Sequence, residues 1–187
     1  MNEDEFARAL LAHERREWQN PERILAEIGV KPGITVADLA CGPGFFTVPM
    51  ARIVGRVYAV DSSKTMLEYL RSNLKRSGID QTVVEIIESD VTNSNIPSQS
   101  SDIVLFANIF HALRNRKEFL KEVKRISKNS GFAIDIDWKK AEDDLGPPLE
   151  IRLSEDRVRE ILADNGFDVV RTIDVGPYHY GIICNSR

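Results

Sequence analysis

Three aspartates in this chain each end a mostly apolar run that has the length of a buried strand. Asp38 ends "ITVAD", Asp61 ends "RVYAVD" and Asp90 ends "TVVEIIESD". Two glycines, Gly42 and Gly44, follow the first of these acids. Glycine lets the backbone come close to a ligand, and an acid about twenty residues after a glycine turn can accept hydrogen bonds from ribose hydroxyls. The pattern therefore predicts a site for a nucleotide-type cofactor.

The glycine turn does not match the common phosphate-binding motifs. Read from Gly42, the dinucleotide pattern GxGxxG meets Thr47 at its third position, so NAD and FAD are disfavoured. No GxxxxGK followed by Ser or Thr is present. The neighbouring Asp38 instead suits a ligand that carries an amine. S-adenosylmethionine has an ammonium group, two ribose hydroxyls and an adenine, and the three acids match it part by part.

Two of the three acids also have a structural interpretation. Asp61 can act only as the cap of the helix that follows it, and Asp90 can be an ordinary turn residue. The joint arrangement favours a binding site, because all three acids would stand at one edge of one sheet.

The elements that must position these acids alternate between strands and helices. Mostly apolar runs predict five strands before residue 139, separated by segments with helical spacing or capping signals. Such alternation is typical of an α/β fold with a doubly wound, mostly parallel sheet, whose ligands bind at the carboxyl ends of the strands. Two further runs joined by Gly176-Pro177 predict an antiparallel hairpin.

Size and composition indicate one domain. The chain has 187 residues, of which 42% are hydrophobic. We expect a single domain over 1–187, in which residues 1–29 form a helical lid and residues 30–187 form the cofactor-binding core. Within the lid, the apolar spacing predicts one helix over 3–18. We expect the loop 139–149 to act as a second lid over the same edge.

Charge and hydropathy limit the partners. The net charge is −4 and no basic face is evident, so we expect no nucleic acid. No apolar run reaches the roughly 18 residues of a membrane span, and no signal sequence begins the chain. We therefore expect no membrane contact and a cytoplasmic location. The oligomeric state stays open, with a homodimer among the alternatives.

Three segments carry a resemblance to a known family. "TVADLACGPGFFTVPMA", "GRVYAVDSSKTMLEYL" and "SDIVLFANIFHAL", in this order and spacing, resemble the class I S-adenosylmethionine-dependent methyltransferases. They are most similar to the small UbiE-like group, also called methyltransferase type 11, over residues 20–185. The resemblance implies a seven-stranded Rossmann-like sheet whose last strand is antiparallel. It also implies S-adenosyl-L-methionine as cofactor and in-line methyl transfer.

The resemblance further implies roles for single residues. Asp38 falls at the acid that helps to hold the methionine end, Asp61 at the acid that binds both ribose hydroxyls, and Asp90 at the acid that reaches the adenine amine. The other implied cofactor contacts are those of Ala40, Gly42, Gly44, Ser62, Met66, Val91 and Asn108. The sequence departs from the family pattern where Ala40 replaces the usual first glycine and where two bulky phenylalanines follow Gly44.

His111 is the candidate catalytic residue, since it follows the fourth strand and histidine ordinarily titrates near neutrality. Its structural interpretation is that it caps or packs against the helix from Arg114. Trp138, after the fifth strand, is a candidate wall of the acceptor pocket. His179 has either a structural role or a place facing that pocket. The three histidines show no metal-ligand spacing.

The acceptor is predicted to be a small molecule. The segment "ANIFHAL" differs from the Asn/Asp-Pro-Pro-aromatic signature of enzymes that methylate exocyclic amines of bases. Two other classes of function remain open. One is a non-catalytic domain of this fold that binds S-adenosylmethionine or a partner. The other is an NAD(P)-dependent oxidoreductase, against which Thr47 argues.

Overall fold

A single seven-stranded sheet forms the centre of the computed structural model, which describes residues 2–143 and 145–187. The strands are β1 Thr35–Leu39, β2 Arg56–Asp61, β3 Val84–Glu88, β4 Ser101–Ala107, β5 Ser127–Trp138, β6 Phe167–Asp174 and β7 His179–Ser186. They lie in the order β3-β2-β1-β4-β5-β7-β6. The first five are parallel, whereas β7 is antiparallel to both of its neighbours. The predicted α/β fold with an antiparallel last strand is confirmed.

Seven helices of the described chain connect or cover these strands. They are α1 Glu3–Leu10, α2 His13–Trp18, α3 Pro21–Glu27, α4 Thr47–Ala51, α5 Lys64–Arg76, α6 Arg116–Ile126 and α7 Glu155–Asp164. Side chains of Asn20, Ser63, Asn115 and Ser154 each accept a hydrogen bond from the first turn of the helix that follows. These caps fix where α3, α5, α6 and α7 begin. None of the described helices is long and apolar enough to cross a membrane.

The core consists of two apolar layers, one on each face of the sheet. Val36 packs in the layer that contains α3, α4 and α5, whereas its neighbour Ala37 packs in the layer that contains α6 and α7. Adjacent residues of a strand point to opposite faces, so both faces of β1 are buried. This double covering leaves the carboxyl ends of the parallel strands as the open edge, which we call the rim.

The N-terminal region differs from the single helix predicted over 3–18. It contains two helices, α1 and α2, and the side chain of Arg15 on α2 donates a hydrogen bond from Nη1 to the carbonyl oxygen of Leu10 at 2.9 Å. This contact satisfies a carbonyl at the end of α1 that a continuous helix would have bonded itself. Of the predicted lids, Met1 and Asp144 lie outside the described residues.

Candidate functional site

The glycine loop between β1 and α4 has a left-handed backbone at three positions. The φ angles are +59° at Ala40, +53° at Gly42 and +95° at Gly44. A Cβ on Gly44 would lie 2.5 Å from Cδ1 of Leu70 on α5, so this position requires glycine for space as well as for conformation. Ala40 adopts its conformation at a cost of about 1–2 kcal/mol. Strain of this kind in a loop at the rim is typical of a functional site.

Asp38 lies inside the molecule, directly below this loop. Its side chain is 2% exposed and accepts a hydrogen bond from Thr47 Oγ1 at 2.5 Å. The pKa of Asp38 is raised to about 7, because burial and the nearby charge of Asp61 raise it more than the Thr47 hydrogen bond and the Arg15 charge lower it. A carboxyl group balanced in this way near neutral pH would ionise when a cation binds beside it.

Asp61, at the end of β2, connects the loop to α5. Its Oδ2 accepts from the Gly42 amide at 2.8 Å and its Oδ1 accepts from the Ser63 amide at 2.9 Å. The cap of α5 is the Ser63 hydroxyl, which accepts from the Met66 amide. The interpretation of Asp61 as only a helix cap is therefore not what the structure shows. Each carboxylate oxygen retains a further lone pair for a ligand hydroxyl.

Asp90 follows β3 at the same rim. It accepts hydrogen bonds from the Thr92 hydroxyl at 2.6 Å and the Thr92 amide at 2.8 Å, and these bonds lower its pKa. The neighbouring Ser89 amide donates to the carbonyl oxygen of Asp61, which holds the ends of β2 and β3 together. The structure thus places Asp90 beside Asp61 along the rim, in a turn that its own side chain stabilises.

The turn after β4 carries Asn108 and His111. Asn108 has φ +59°, and its buried Oδ1 has no hydrogen-bond partner in the part of the chain that the structure describes. His111 lies in a short 3-10 helix, where its amide donates to Asp137 Oδ2 at 2.9 Å and its Nδ1 lies 2.7 Å from Asp137 Oδ1. Because a carboxylate accepts, Nδ1 carries the hydrogen and Nε2 of the neutral ring is left as an acceptor. Asn115, not His111, caps α6.

An aromatic cluster closes the rim at β5 and β7. The His179 ring stacks on Trp18 of α2, with centroids 5.4 Å apart, and lies 4.0 Å from Trp138. His179 is fully buried, and burial together with nearby positive charges lowers its pKa to about 3. It is therefore a neutral ring at physiological pH. Trp138, predicted as a wall of the acceptor pocket, belongs to this cluster.

Comparison with known proteins agrees with this geometry. Residues 37–135 match the family model Methyltransf_11, described as a methyltransferase domain. A crystal structure of a SAM-dependent methyltransferase from Aquifex aeolicus superposes with a TM-score of 0.90 at 34% identity, covering 98% of each chain. The chain belongs to the S-adenosylmethionine-dependent methyltransferases.

Curated relatives extend the comparison. Carboxy-S-adenosyl-L-methionine synthase from Vibrio vulnificus is 31% identical over 137 residues, which are 71% of this chain and 56% of that protein. Demethylmenaquinone methyltransferase from Geobacillus stearothermophilus is 28% identical over 126 residues, which are 64% of this chain and 52% of that protein. The chain thus spans about half the length of the curated relatives it matches.

The residues at the rim fit S-adenosylmethionine, the cofactor of the family. The loop from Ala40 to Gly44 lets the backbone approach a ligand, Asp61 keeps free lone pairs, and the buried Asn108 Oδ1 lacks a partner. Two further predicted contacts lie beside Asp61, namely the exposed Ser62 and the buried Met66 in the first turn of α5. The structure brings the predicted residues to one rim, and their individual contacts with the cofactor stay predictions.

Three residues of the site have roles that sequence reasoning did not assign. Asp137 was identifiable only as the end of a strand, and Thr47 only as a departure from the dinucleotide motif. The paired acids of "IDID" in an otherwise apolar strand were the available signal for Asp137. Arg15 gave none, because a charged residue in an amphipathic pattern reads as solvent-exposed.

Proposed function

We propose that this protein transfers a methyl group from S-adenosylmethionine to a small-molecule acceptor, with His111 as general base. The bound cofactor supplies a methyl group that is already activated by its positive sulfur. The chain itself has to hold the two reactants in line, which can contribute roughly 7–11 kcal/mol of barrier reduction, and to take a proton where the acceptor loses one.

The observation that carries the proposal is the pairing of His111 with Asp137. The His111 and Asp137 side chains are 8% and 1% exposed, so the carboxylate is held in place by burial and by two hydrogen bonds from one residue. Arg116 donates from its guanidinium to the carbonyl oxygens of Phe110 and His111, which fixes the turn that carries the ring. A fixed carboxylate behind Nδ1 stabilises the ring after Nε2 has taken a proton.

The His111–Asp137 pair also lies near the glycine loop in the sheet. Strand β4, which leads to His111, lies between β1, which leads to the glycine loop, and β5, which ends beside Asp137. The base therefore stands one strand away from the loop that would hold the cofactor. This adjacency is what an in-line transfer from cofactor to acceptor requires.

A small acceptor is supported by the composition and by the relatives. The chain has a net charge of −4, and curated relatives are named for methylating demethylmenaquinone or for ubiquinone and menaquinone biosynthesis. The acceptor would lie at the aromatic cluster, where Gly146 and Arg152 cover the Trp138 ring.

The N-terminal helices support the assignment of residues 1–29 as a lid over the core 30–187. Glu3 and Asp4 of α1 accept hydrogen bonds from the Ser63 and Tyr69 hydroxyls of α5. Cδ1 of Leu10 lies 3.7 Å from the position that a Cβ on Gly42 would occupy. The two helices therefore extend from α5 across the glycine loop to the aromatic cluster.

The test uses S-adenosylmethionine with a labelled methyl group. The protein is incubated with it and with a cell extract separated into small-molecule, RNA and protein fractions. We expect label in the small-molecule fraction. Label only in RNA or protein would overturn the small-molecule assignment. Binding of the cofactor with no transfer to any fraction would favour a non-catalytic domain.

The base is tested on the acceptor so found. Asn at position 111 keeps a donor near Asp137 but removes the acceptor at Nε2. We expect His111→Asn to lower kcat by about 100-fold or more without weakening binding of S-adenosylhomocysteine. The control is His13→Asn, since the His13 side chain on α2 is 85% exposed. Full turnover by His111→Asn would show that His111 is not the base.

A further inference from the structure

Arg15 is a buried cation beside the glycine loop. It is 8% exposed, and its guanidinium carbon lies 3.8 Å from the centroid of the Phe45 ring, the residue that follows Gly44. Nε donates to Gln19 Oε1 at 2.9 Å and Nη1 donates to the Leu10 carbonyl oxygen at 2.9 Å. The side chain is therefore held in one place by contacts on two sides.

One fully buried donor in this arrangement has no acceptor. Within residues 2–143 and 145–187, the Nε2 of the fully buried Gln19 has no hydrogen-bond partner. The neighbouring Arg15 guanidinium donates there from Nε and Nη1 only, which leaves its Nη2 for a ligand. The Gln19 amide cannot be turned round to solve this, because its oxygen already accepts from Arg15. A buried donor without an acceptor is costly, so the Gln19 Nε2 next to a charged guanidinium points to a ligand with acceptor oxygens.

The charges around the loop indicate what that ligand carries. Burial lowers the pKa of Arg15 to about 10, so the guanidinium stays charged at neutral pH, and Asp38 acts on it through its opposite charge. Arg15 and Asp38, both in the described part of the chain, form no direct ion pair. A buried cation and a buried acid near one loop, each with free capacity, are complementary to a zwitterion that fits between them.

We propose that Arg15 and Gln19 bind the carboxylate of the amino-acid end of the cofactor, while Asp38 receives its ammonium group. This inference rests on the proposed function, because it names the recognition of the donor at the same site. Under this proposal α2 contributes to cofactor specificity. The site would bind S-adenosylmethionine and its analogues that keep the carboxylate more tightly than analogues that lack it.

The test compares two ligands on matched variants by calorimetric titration. S-adenosylhomocysteine carries the amino-acid group, whereas 5′-methylthioadenosine lacks it. We expect Arg15→Met to weaken S-adenosylhomocysteine about 10- to 100-fold, since it removes charge-assisted hydrogen bonds, and to leave 5′-methylthioadenosine unchanged. Gln19→Leu should act in the same direction with a smaller effect. The control is Arg16→Met, whose exposed side chain pairs with Glu22.

Equal weakening of both ligands would overturn the inference, because it would make Arg15 only an anchor of α2. Arg15→Lys guards against a variant that fails to fold, since it keeps the charge while losing the fork of donors, and it should show an intermediate loss for S-adenosylhomocysteine alone. Failure of the proposed function gives a different result. Selective weakening by Arg15→Met with no methyl transfer would support the inference and contradict catalysis.

Discussion

At the scale of single residues, two aspartates make the same local contacts at opposite ends of β3. Asp80 accepts from the Thr82 amide at 2.9 Å and hydroxyl at 2.8 Å, just as Asp90 accepts from Thr92. Local geometry therefore does not distinguish a turn residue from a binding residue. Position separates the two, because Asp90 follows the carboxyl end of the strand, where sheets of this kind bind ligands, whereas Asp80 precedes its start.

The pair gives a matched test of the adenine assignment. We expect Asp90→Ala to weaken S-adenosylhomocysteine about fivefold to tenfold, because it removes a charged acceptor from the rim as well as the two turn contacts. Asp80→Ala removes the same kind of turn contacts and should leave affinity unchanged. Calorimetric titration of both variants is the measurement. Equal effects of the two substitutions would show that Asp90 is only an ordinary turn residue.

The acids at the rim were predictable from sequence, whereas their partners were not. Asp38 and Asp61 follow strands that hydrophobic patterning locates, so their edge of the sheet is fixed by topology. The contacts of Thr47 with Asp38 and of Asp137 with His111 depend on how separate elements meet in space. No spacing along the chain encodes such meetings.

At the scale of elements, α2 is held against the last hairpin by a glycine. Gly176 has φ +107°, and a Cβ there would overlap the carbonyl oxygen of Trp18. The prediction of a single helix over 3–18 was wrong, because the apolar spacing continues through residues 11–12 although the chain turns there. The turn depends on Arg15 reaching the Leu10 carbonyl oxygen, which is a tertiary contact.

A second glycine with a left-handed backbone provides the control for this junction. Gly33 has φ +85° and nothing within 4 Å of a Cβ, so Gly33→Ala should cost about 1–2 kcal/mol, or roughly 2–8 °C in Tm. Gly176→Ala adds the overlap with Trp18 and should lower Tm at least twice as far. Thermal unfolding followed by tryptophan fluorescence checks both. A similar shift for the two variants would show that α2 does not depend on this contact.

At the scale of the whole molecule, buried titratable groups couple the stability of the fold to pH. The pKa of Asp38 rises from 3.8 to about 7 on folding, mainly through burial, so the native protein binds more protons than the unfolded chain between these values. The Asp38 carboxyl group therefore lowers the free energy of unfolding as pH rises from 3.8 to about 7. The pKa of His179 falls from 6.5 to about 3, mainly through burial, and lowers stability as pH falls through that range.

The two effects are separated by substitution. Asn in place of Asp38 keeps an acceptor for Thr47 and removes the buried charge. We therefore expect Asp38→Asn to match the natural protein in stability near pH 4 and to become increasingly more stable above it, up to about pH 7. Urea unfolding between pH 4 and pH 8 measures this difference. A difference in stability that does not change with pH would show that Asp38 is not buried in the way described.

The alternation of strands and helices along the chain and the direction of the strands were the most predictable properties of the molecule. Alternating apolar runs and caps such as Ser63 determine a doubly wound sheet, and Gly176-Pro177 indicates its final antiparallel pair. The placement of α1 and α2 over the rim is a property of the assembled fold. It follows from contacts of Leu10, Arg15 and Trp18 with elements far along the chain.

One consequence of α2 concerns how the binding of one ligand affects the binding of a second. Arg15 and Trp18 lie about one turn apart on this short helix, the first over Phe45 and the second against His179. A ligand that binds beside Arg15 would therefore also position Trp18, which is part of the aromatic cluster on the other side of the rim. Two ligands that are coupled through one rigid element change each other's affinity by the same factor. The acceptor should then bind more tightly in the presence of S-adenosylhomocysteine than in its absence, which calorimetric titration with and without that ligand measures.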